Sequence, residues 1–289
     1  MKFISLFAGV GGFDLGMTRA GHECVAMVEY DKAAAGVLAH RFPGIPLFCD
    51  VRNVSADDLP DADFITYGFP CQDLSVAGKR EGLDGDRSGL FFDATRIIRG
   101  LRGRGLQFAL AENVAGLLSA DDGGALARCV RELLDCGARD VGWRTLDSQW
   151  FGVAQRRCRV FIVADFAGKR CDEILALADS LRGHPAPSRG AGKDIAPTLT
   201  KCAFTGGAGE RVECEAIICR AGDQANAEIC EGFAPTLNCN QGQRGPIICR
   251  ADAGATVRRL TPTECERLQG FPDDWTAERC ELTSDGNRW

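Results

Sequence analysis

Cys71 stands in the pentapeptide Gly68-Phe69-Pro70-Cys71-Gln72, directly after the apolar run Phe64-Ile65-Thr66-Tyr67. A short β-rich run stopped by glycine and proline reads as a buried strand, and the loop beyond it lies at the carboxyl edge where parallel α/β sheets hold their ligands. Pro70 has a fixed φ and no N–H, so it stiffens the loop and restricts where the thiol points. A thiol there is a candidate nucleophile; a small buried hydrophobe is the competing role in a chain with fifteen cysteines. Glu112 follows a second strand-like piece, Phe108-Ala109-Leu110-Ala111, and is flanked by Leu110, Ala111 and Val114. Partial desolvation would let its carboxyl donate a proton near neutrality, whereas an ordinary loop carboxylate would not. Gln155-Arg156-Arg157-Cys158-Arg159 opens a third such piece. In a strand Arg157 and Arg159 share one face, and two guanidinium groups on one face can clamp a phosphate or a carbonyl oxygen; a solvated, aggregation-resistant edge is the alternative.

The elements that must position these groups read as alternating strands and helices. Residues 2–7 form a first strand, and Ala8-Gly9-Val10-Gly11-Gly12-Phe13-Asp14-Leu15-Gly16 is a glycine-rich turn opening a helix, where the backbone can approach a ligand and helix N–H groups point at it. The strand over residues 24–28 ends at Glu29, where a carboxylate can accept both hydroxyls of a ribose, and residues 46–49 end at Asp50. Each carboxylate alone serves equally as a helix cap. Together with the glycine turn they outline a nucleoside site. Residues 75–89 are polar and glycine-rich, as in a lid, and residues 90–101 have helical spacing with Arg96 and Arg99 on the outer face. Helix is predicted again over residues 125–136, and strands over 143–148 and 159–165.

At 289 residues the chain has room for two domains or one large α/β domain with an insertion. With 45% hydrophobic and 26% charged residues it has the make-up of a soluble globular protein; no apolar run is long enough to span a bilayer, and the start does not read as a signal peptide. These features predict a cytoplasmic protein. The odd cysteine number predicts reduced thiols. Cys202, Cys214, Cys219, Cys230, Cys239 and Cys249 fall at irregular intervals with no nearby histidine, so no metal site is expected. A net charge of −6 excludes nucleic-acid binding by the whole surface and leaves only a local basic cleft.

From about residue 168 the pattern changes. A helical stretch over residues 172–181 leads into His184-Pro185-Ala186-Pro187-Ser188-Arg189-Gly190, a linker signal. Beyond it Ala196-Pro197-Thr198-Leu199 is echoed by Ala234-Pro235-Thr236-Leu237, and Ile217-Ile218-Cys219-Arg220 by Ile247-Ile248-Cys249-Arg250, which predicts a small, loop-rich, mostly β subdomain. Thr261-Pro262-Thr263-Glu264 then starts a helix, with a threonine cap, proline at the first position and an acid three residues on; Gly270 should end it.

In this order the features resemble the cytosine-C5 DNA methyltransferases of phages and bacteria, over nearly the whole chain. Phe7-Ala8-Gly9-Val10-Gly11-Gly12 matches the first cofactor motif and Gly68-Phe69-Pro70-Cys71-Gln72 the catalytic motif. Glu112-Asn113-Val114 matches the Glu-Asn-Val element, Gln155 with Arg157 and Arg159 the Gln-x-Arg-x-Arg element, and residues 259–272 the helix closing the recognition region. The resemblance implies a Rossmann-like α/β catalytic and cofactor-binding domain over residues 1–167, a mostly β target-recognition domain over 168–257, and a return helix with the end of the catalytic domain over 258–289. It implies S-adenosyl-L-methionine held by Phe7, Gly9, Gly11, Gly12, Glu29, Tyr30, Asp50, Pro70 and Leu90. Double-stranded DNA would be the substrate, met by Gln72, Ser75, Asn113 and Gln155 and read by arginines such as Arg220 and Arg250.

The catalytic set so implied is Cys71 adding to C6 of a flipped-out cytosine, Glu112 donating to N3, Arg159 binding O2, and Arg157 holding the phosphate or Glu112. A monomer, with or without a cognate restriction endonuclease, is the implied assembly. Two departures stand out: Ala154 replaces a frequent proline, and the family's last Gly-Asn element continues into a helix, whereas Arg288-Trp289 follow Gly286-Asn287 here. The expectation is that this cofactor-side element is missing, with weak binding or another polypeptide supplying it. Three rivals remain at this point: an RNA methyltransferase of related design, an inactive DNA-binding relative, and a nucleotide-dependent oxidoreductase that would leave Cys71, Glu112 and the arginines without a role.

Overall fold

The computed structural model of the chain describes residues 1–69, 89–153, 155, 157–176 and 261–289, with Gln149 and residues 217–220, 228–229, 247–250 and 256–259 by their backbone alone. Pro70, Cys71, Gln72 and Ser75 lie outside the described residues, as do the side chains of Arg220 and Arg250. By contacts the chain divides into two compact units, one of residues 1–146, 158–179 and 276–289, the other of 147–157 and 180–275.

The first unit is built on a mixed sheet. Its strands are β1 (Lys2–Leu6), β2 (Glu23–Val28), β3 (Leu47–Phe48), β4 (Phe64–Tyr67), β5 (Phe108–Val114), β6 (Asp140–Asp147) and β7 (Cys158–Asp165), in the order β3-β2-β1-β4-β5-β7-β6. β1 to β5 pair in parallel, and β7 runs antiparallel to β5. Helices α1 (Gly12–Arg19), α2 (Lys32–Arg41), α3 (Gly89–Arg102) and α4 (Gly124–Asp135) form its connections.

Side chains alternate along each strand, so β1 sends Phe3 to one face and Ile4 and Leu6 to the other. Phe3 stacks on Phe64 at 5.3 Å in a core completed by Ala35 and Leu38 of α2. Ile4, Leu6, Ile65 and Tyr67 meet Phe91 and Ile97 of α3 and Leu126 and Cys129 of α4. Burial on both faces is why these strands read as continuous apolar runs. The sheet order reverses at β1, with β2 and β3 on one side and β4 and β5 on the other. Open α/β sheets bind ligands in the crevice at such a switch point.

Three details differ from the sequence expectation. β5 does not stop at Ala111: all seven of its residues pair with β7, so Glu112 and Asn113 are strand residues. Arg96 is not merely solvated, since its guanidinium donates to the carbonyls of Val54 (2.8 Å) and Val51 (3.1 Å) and ties α3 to the turn after Asp50. The helix predicted over 172–181 is α5 (Cys171–Leu175), and residues 177–181 lie outside the described residues.

The chain leaves β7 through a compact knot. Asp165 is fully buried and its carboxylate accepts from the N–H groups of Ala167 (2.9 Å), Gly168 (2.7 Å) and Arg170 (3.2 Å) and from Arg170 Nε (2.9 Å). Burial raises the affinity of Asp165 for a proton, yet the Arg170 and backbone hydrogen bonds and the Arg170 charge together hold its pKa below the usual carboxylate value.

In the second unit β8 (Ile217–Arg220), β9 (Glu228–Ile229), β10 (Ile247–Arg250) and β11 (Thr256–Arg259) form an antiparallel sheet in the order β11-β10-β8-β9. The two copies of the Ile-Ile-Cys-Arg repeat are neighbours in it, with Ile218 opposite Ile248. Helix α6 (Pro262–Leu268) carries the predicted capping box: Thr261 Oγ1 accepts from Glu264 N–H, and the Glu264 carboxylate accepts from Thr261 N–H (2.7 Å). Gly270, at φ +79°, follows the helix. The eight cysteines whose side chains are described are free thiols, and among the described residues no cluster is suited to a metal and no helix is long and apolar enough to cross a membrane.

Candidate active site

The turn after β1 needs left-handed backbone, found at Phe7 (φ 54°), Gly9 (φ 58°) and Gly11 (φ 90°). Gly11 also has no room for a side chain, because a Cβ there would lie 2.9 Å from the Phe42 ring. The turn is locked to the end of β2: Gly9 N–H donates to one oxygen of Glu29 (2.7 Å), and Asp31 N–H donates to the other (2.7 Å). Burial raises the Glu29 pKa, and these two backbone hydrogen bonds oppose the rise.

A cleft of about 560 Å³ opens here, lined among others by Phe7, Glu29, Tyr30, Asp50, Gly68 and Leu90. Its size suits a nucleoside-sized ligand. Tyr30 is 71% exposed, with the Arg52 guanidinium 5.9 Å from its ring centre. Arg52 also grips Asp50, donating from Nη2 to Oδ2 (2.6 Å), and this hydrogen bond is the main reason the Asp50 pKa lies below the ordinary value. The structure therefore gathers Phe7, Glu29, Tyr30, Asp50 and Leu90 around one cleft, with Gly9 joined through Glu29. Gly11 and Gly12 shape the start of α1 and do not line it. Sequence reasoning missed Arg52 and Asp93, which also line the cleft. Arg52 sits two residues after Asp50, in the 3-10 turn that Asp50 caps.

The second group of side chains lies at the carboxyl ends of β4 and β5. Tyr67 pairs with Ala111, which sets Gly68 beside Glu112: a Cβ on Gly68 would be 3.6 Å from Glu112 Oε2. Arg159 lies diagonally across from Glu112 on the same face of the β5/β7 ladder, and its Nε meets Glu112 Oε1 at 2.9 Å. The pair is mostly shielded, the side chains being 14% and 23% exposed. Asn113 points to the opposite face, is buried, and donates from Nδ2 to the carbonyl of Phe69 (3.4 Å). It thereby holds Phe69, which lies shortly before Cys71 in the chain.

Arg157 precedes β7 and belongs to the second unit, where its N–H donates to Asp147 Oδ1 (3.1 Å). Gln155 is buried in that unit, and its carbonyl accepts from Ser148 Oγ (2.6 Å).

Beneath the glycine turn, Asp14 is fully buried and accepts from Ser5 Oγ (3.2 Å) and Cys24 Sγ (3.6 Å). Burial pushes its pKa up to about 6, against the smaller opposing effect of the Ser5 hydrogen bond. A folded-state pKa above the unfolded one gives stability that is complete below about pH 4 and is lost as pH rises through about 6, a loss of roughly 3 kcal/mol. Asp14→Asn keeps the shape and the acceptor for Ser5 without the charge. Urea unfolding at about pH 4.5 and about pH 8 is expected to show the variant gaining roughly 2 kcal/mol on the parent across that interval. Parallel pH profiles would remove Asp14 as the source.

The C-5 cytosine-specific DNA methylase family model matches residues 1–181. The chain is 31% identical over 295 residues to Type II methyltransferase M2.BsuMI of Bacillus subtilis (strain 168), covering 100% of this chain and 70% of that protein. It is 32% identical over 293 residues to Type II methyltransferase M.Bsp6I of Bacillus sp. (strain RFL6), covering 95% and 89%. With Type II methyltransferase M.HhaI of Haemophilus parahaemolyticus it shares 30% identity over 292 residues, covering 95% and 85%. The donor set of the cleft, two carboxylates at successive strand ends beside a glycine turn, fits the S-adenosyl-L-methionine that this family uses. On both the matched domain and the near full-length likeness, the chain belongs to the C-5 cytosine-specific DNA methylases, as a DNA cytosine-5-methyltransferase of Rossmann-like α/β fold.

Proposed function

We propose that this enzyme methylates C5 of a cytosine flipped out of a specific duplex DNA sequence, through a covalent bond between Cys71 Sγ and C6. The observation that carries the reading is the shielded Glu112–Arg159 ion pair beside Gly68, which shortly precedes Cys71 in the chain, on the same sheet edge as the Glu29 and Asp50 cleft. Cytosine C5 is too weak a nucleophile to react unaided. Thiolate addition at C6 with proton transfer from Glu112 to N3 moves an electron pair onto C5, and Arg159 holds the charge that develops at O2. Phe7, Glu29, Tyr30, Asp50 and Leu90 would hold S-adenosyl-L-methionine, which when bound supplies an electrophilic methyl group. C5 takes that methyl group with its new electron pair, the electrons of the bond that breaks staying on the donor sulfur. Loss of the C5 proton to solvent then returns an electron pair to the ring, N3 gives its proton back to Glu112, the C6–S bond breaks and Cys71 leaves as thiolate. None of this is possible inside a stacked duplex, so the base must leave it.

Residues 168–257 serve as the target-recognition domain in this reading, with Arg220 and Arg250 among the base-reading arginines and Gln72, Ser75, Asn113, Gln155 and Arg157 toward the DNA side. The enzyme acts as a cytoplasmic monomer, and a cognate endonuclease would make it the protective half of a restriction-modification pair. The test is transfer of labelled methyl from S-adenosyl-L-methionine to mixed-sequence duplex DNA, followed by bisulfite sequencing. Methylated cytosines confined to one short word are expected. Label entering RNA and not DNA would overturn the substrate assignment.

A further inference from the structure

β3 is the last strand on its side of the sheet, and an uncovered edge strand leaves backbone groups unpaired. Residues 285–289 cover this one. Cys49 N–H donates to Asn287 O (3.0 Å), Trp289 N–H donates to Leu47 O (3.1 Å), and Phe48 bridges Arg288 in antiparallel fashion. The segment is shaped by a tight turn in which Asp285 and Arg288 exchange N–H···O bonds (2.9 and 3.1 Å) and Gly286 takes φ +58°. Arg288 lies over the Phe48 ring at 4.7 Å. The Gly286-Asn287 dipeptide thus reaches the strand end that carries Asp50.

Two side chains of this segment hold the main chain of the cleft's two carboxylate residues. The Asn287 carboxamide makes a two-point contact with Asp50, accepting from its N–H (3.0 Å) and donating to its carbonyl (3.2 Å). The Trp289 indole N–H donates to the carbonyl of Glu29 (2.8 Å). We infer that Asn287 and Trp289 are positioning residues for the adenosine half of the cofactor, fixing the backbone from which Asp50 and Glu29 aim their carboxylates into the cleft. The inference rests on the reading of that cleft as the S-adenosyl-L-methionine site.

Calorimetry with S-adenosyl-L-homocysteine, using the full chain, reads binding without turnover. Asn287→Ala removes both contacts to Asp50 and is expected to weaken binding about tenfold at unchanged stoichiometry. The KM for S-adenosyl-L-methionine should rise equally, with kcat at saturating cofactor and KM for DNA held within about twofold. Trp289→Phe keeps the ring against the core and removes only the N–H; it is expected to weaken binding about threefold, and it carries the test if Asn287→Ala fails to fold. Asp50→Ala is the control. If it weakens binding while both other variants bind as the parent does, the inference is overturned and the cleft assignment stands; if Asp50→Ala binds normally, the cleft assignment itself falls. Lower thermal stability at unchanged affinity in Asn287→Ala would overturn the inference and leave the segment its edge-covering role alone.

Discussion

Cys71→Ala is expected to abolish methyl transfer, by at least about 10⁴-fold, because in the proposed mechanism the C6 adduct that activates C5 is lost with the thiol. The loss should appear entirely in the chemical step. Phe7, Glu29, Asp50 and Leu90 line the cleft assigned to the cofactor, whereas the thiol is assigned to the pyrimidine, so binding of S-adenosyl-L-homocysteine should change by less than about threefold. The decisive form of the experiment uses duplex DNA with 5-fluorocytosine in the recognised word. Fluorine on C5 cannot depart as a cation, so the parent should stall as a covalent complex that survives denaturing electrophoresis. The variant should give none, and a variant that traps DNA as well as the parent would refute the nucleophile assignment.

Glu112→Gln should lower the rate of methyl transfer by about 10²- to 10⁴-fold, the range expected when a proton donor positioned at the reacting ring is removed. The fold should survive the change. Glu112 is held by Arg159 at 2.9 Å, and glutamine keeps an oxygen that can accept from Arg159 Nε. Glu112→Ala leaves that guanidinium without its partner in a place where it is only 14% exposed, so it should also cost about 1–3 kcal/mol of stability. Thermal unfolding read beside single-turnover rates separates the effects: Gln slow but stable, Ala slow and less stable. A Glu112→Gln enzyme within a few-fold of the parent rate would mean that N3 is protonated from elsewhere.

What was legible in the sequence is what local chemistry decides. β4 is bounded by glycine and proline at one end and occupies the predicted residues. The capping box at Thr261 and the glycine after α6 needed only neighbouring residues to be recognised. Glu29 and Asp50 were readable as cleft carboxylates because each ends a short apolar strand, and the order of the sheet then brings them together. The Ile-Ile-Cys-Arg echo announced two similar strands, and only the structure showed them paired with each other.

The rest depended on partners far away in the chain. Glu112-Asn113 is polar and looks like a loop, but β7 continues the ladder through both residues. Arg96 sits on the outer face of α3 by periodicity and is drawn to carbonyls 42 and 45 residues away. The Asn287 and Trp289 contacts span 237 and 260 residues and involve main-chain groups, which leave no mark in side-chain spacing. Asp14 reads as an ordinary first-turn helix acid; its burial follows from the closeness of β1 and β2, which bring Ser5 and Cys24 to it.

The Asp165 knot bears on where the chain would tolerate cutting and joining. Its hydrogen bonds are all made within six residues, between the end of β7 and Arg170, and the turn is further secured by Phe166 N–H on the Gln107 carbonyl (2.8 Å) and by Arg170 over the Phe108 ring (4.4 Å). The end of the sheet is therefore tied off by Arg170. A graft or insertion placed just after residue 176 meets a chain whose exit is already anchored, so the pairing of β5 with β7 is expected to keep its register.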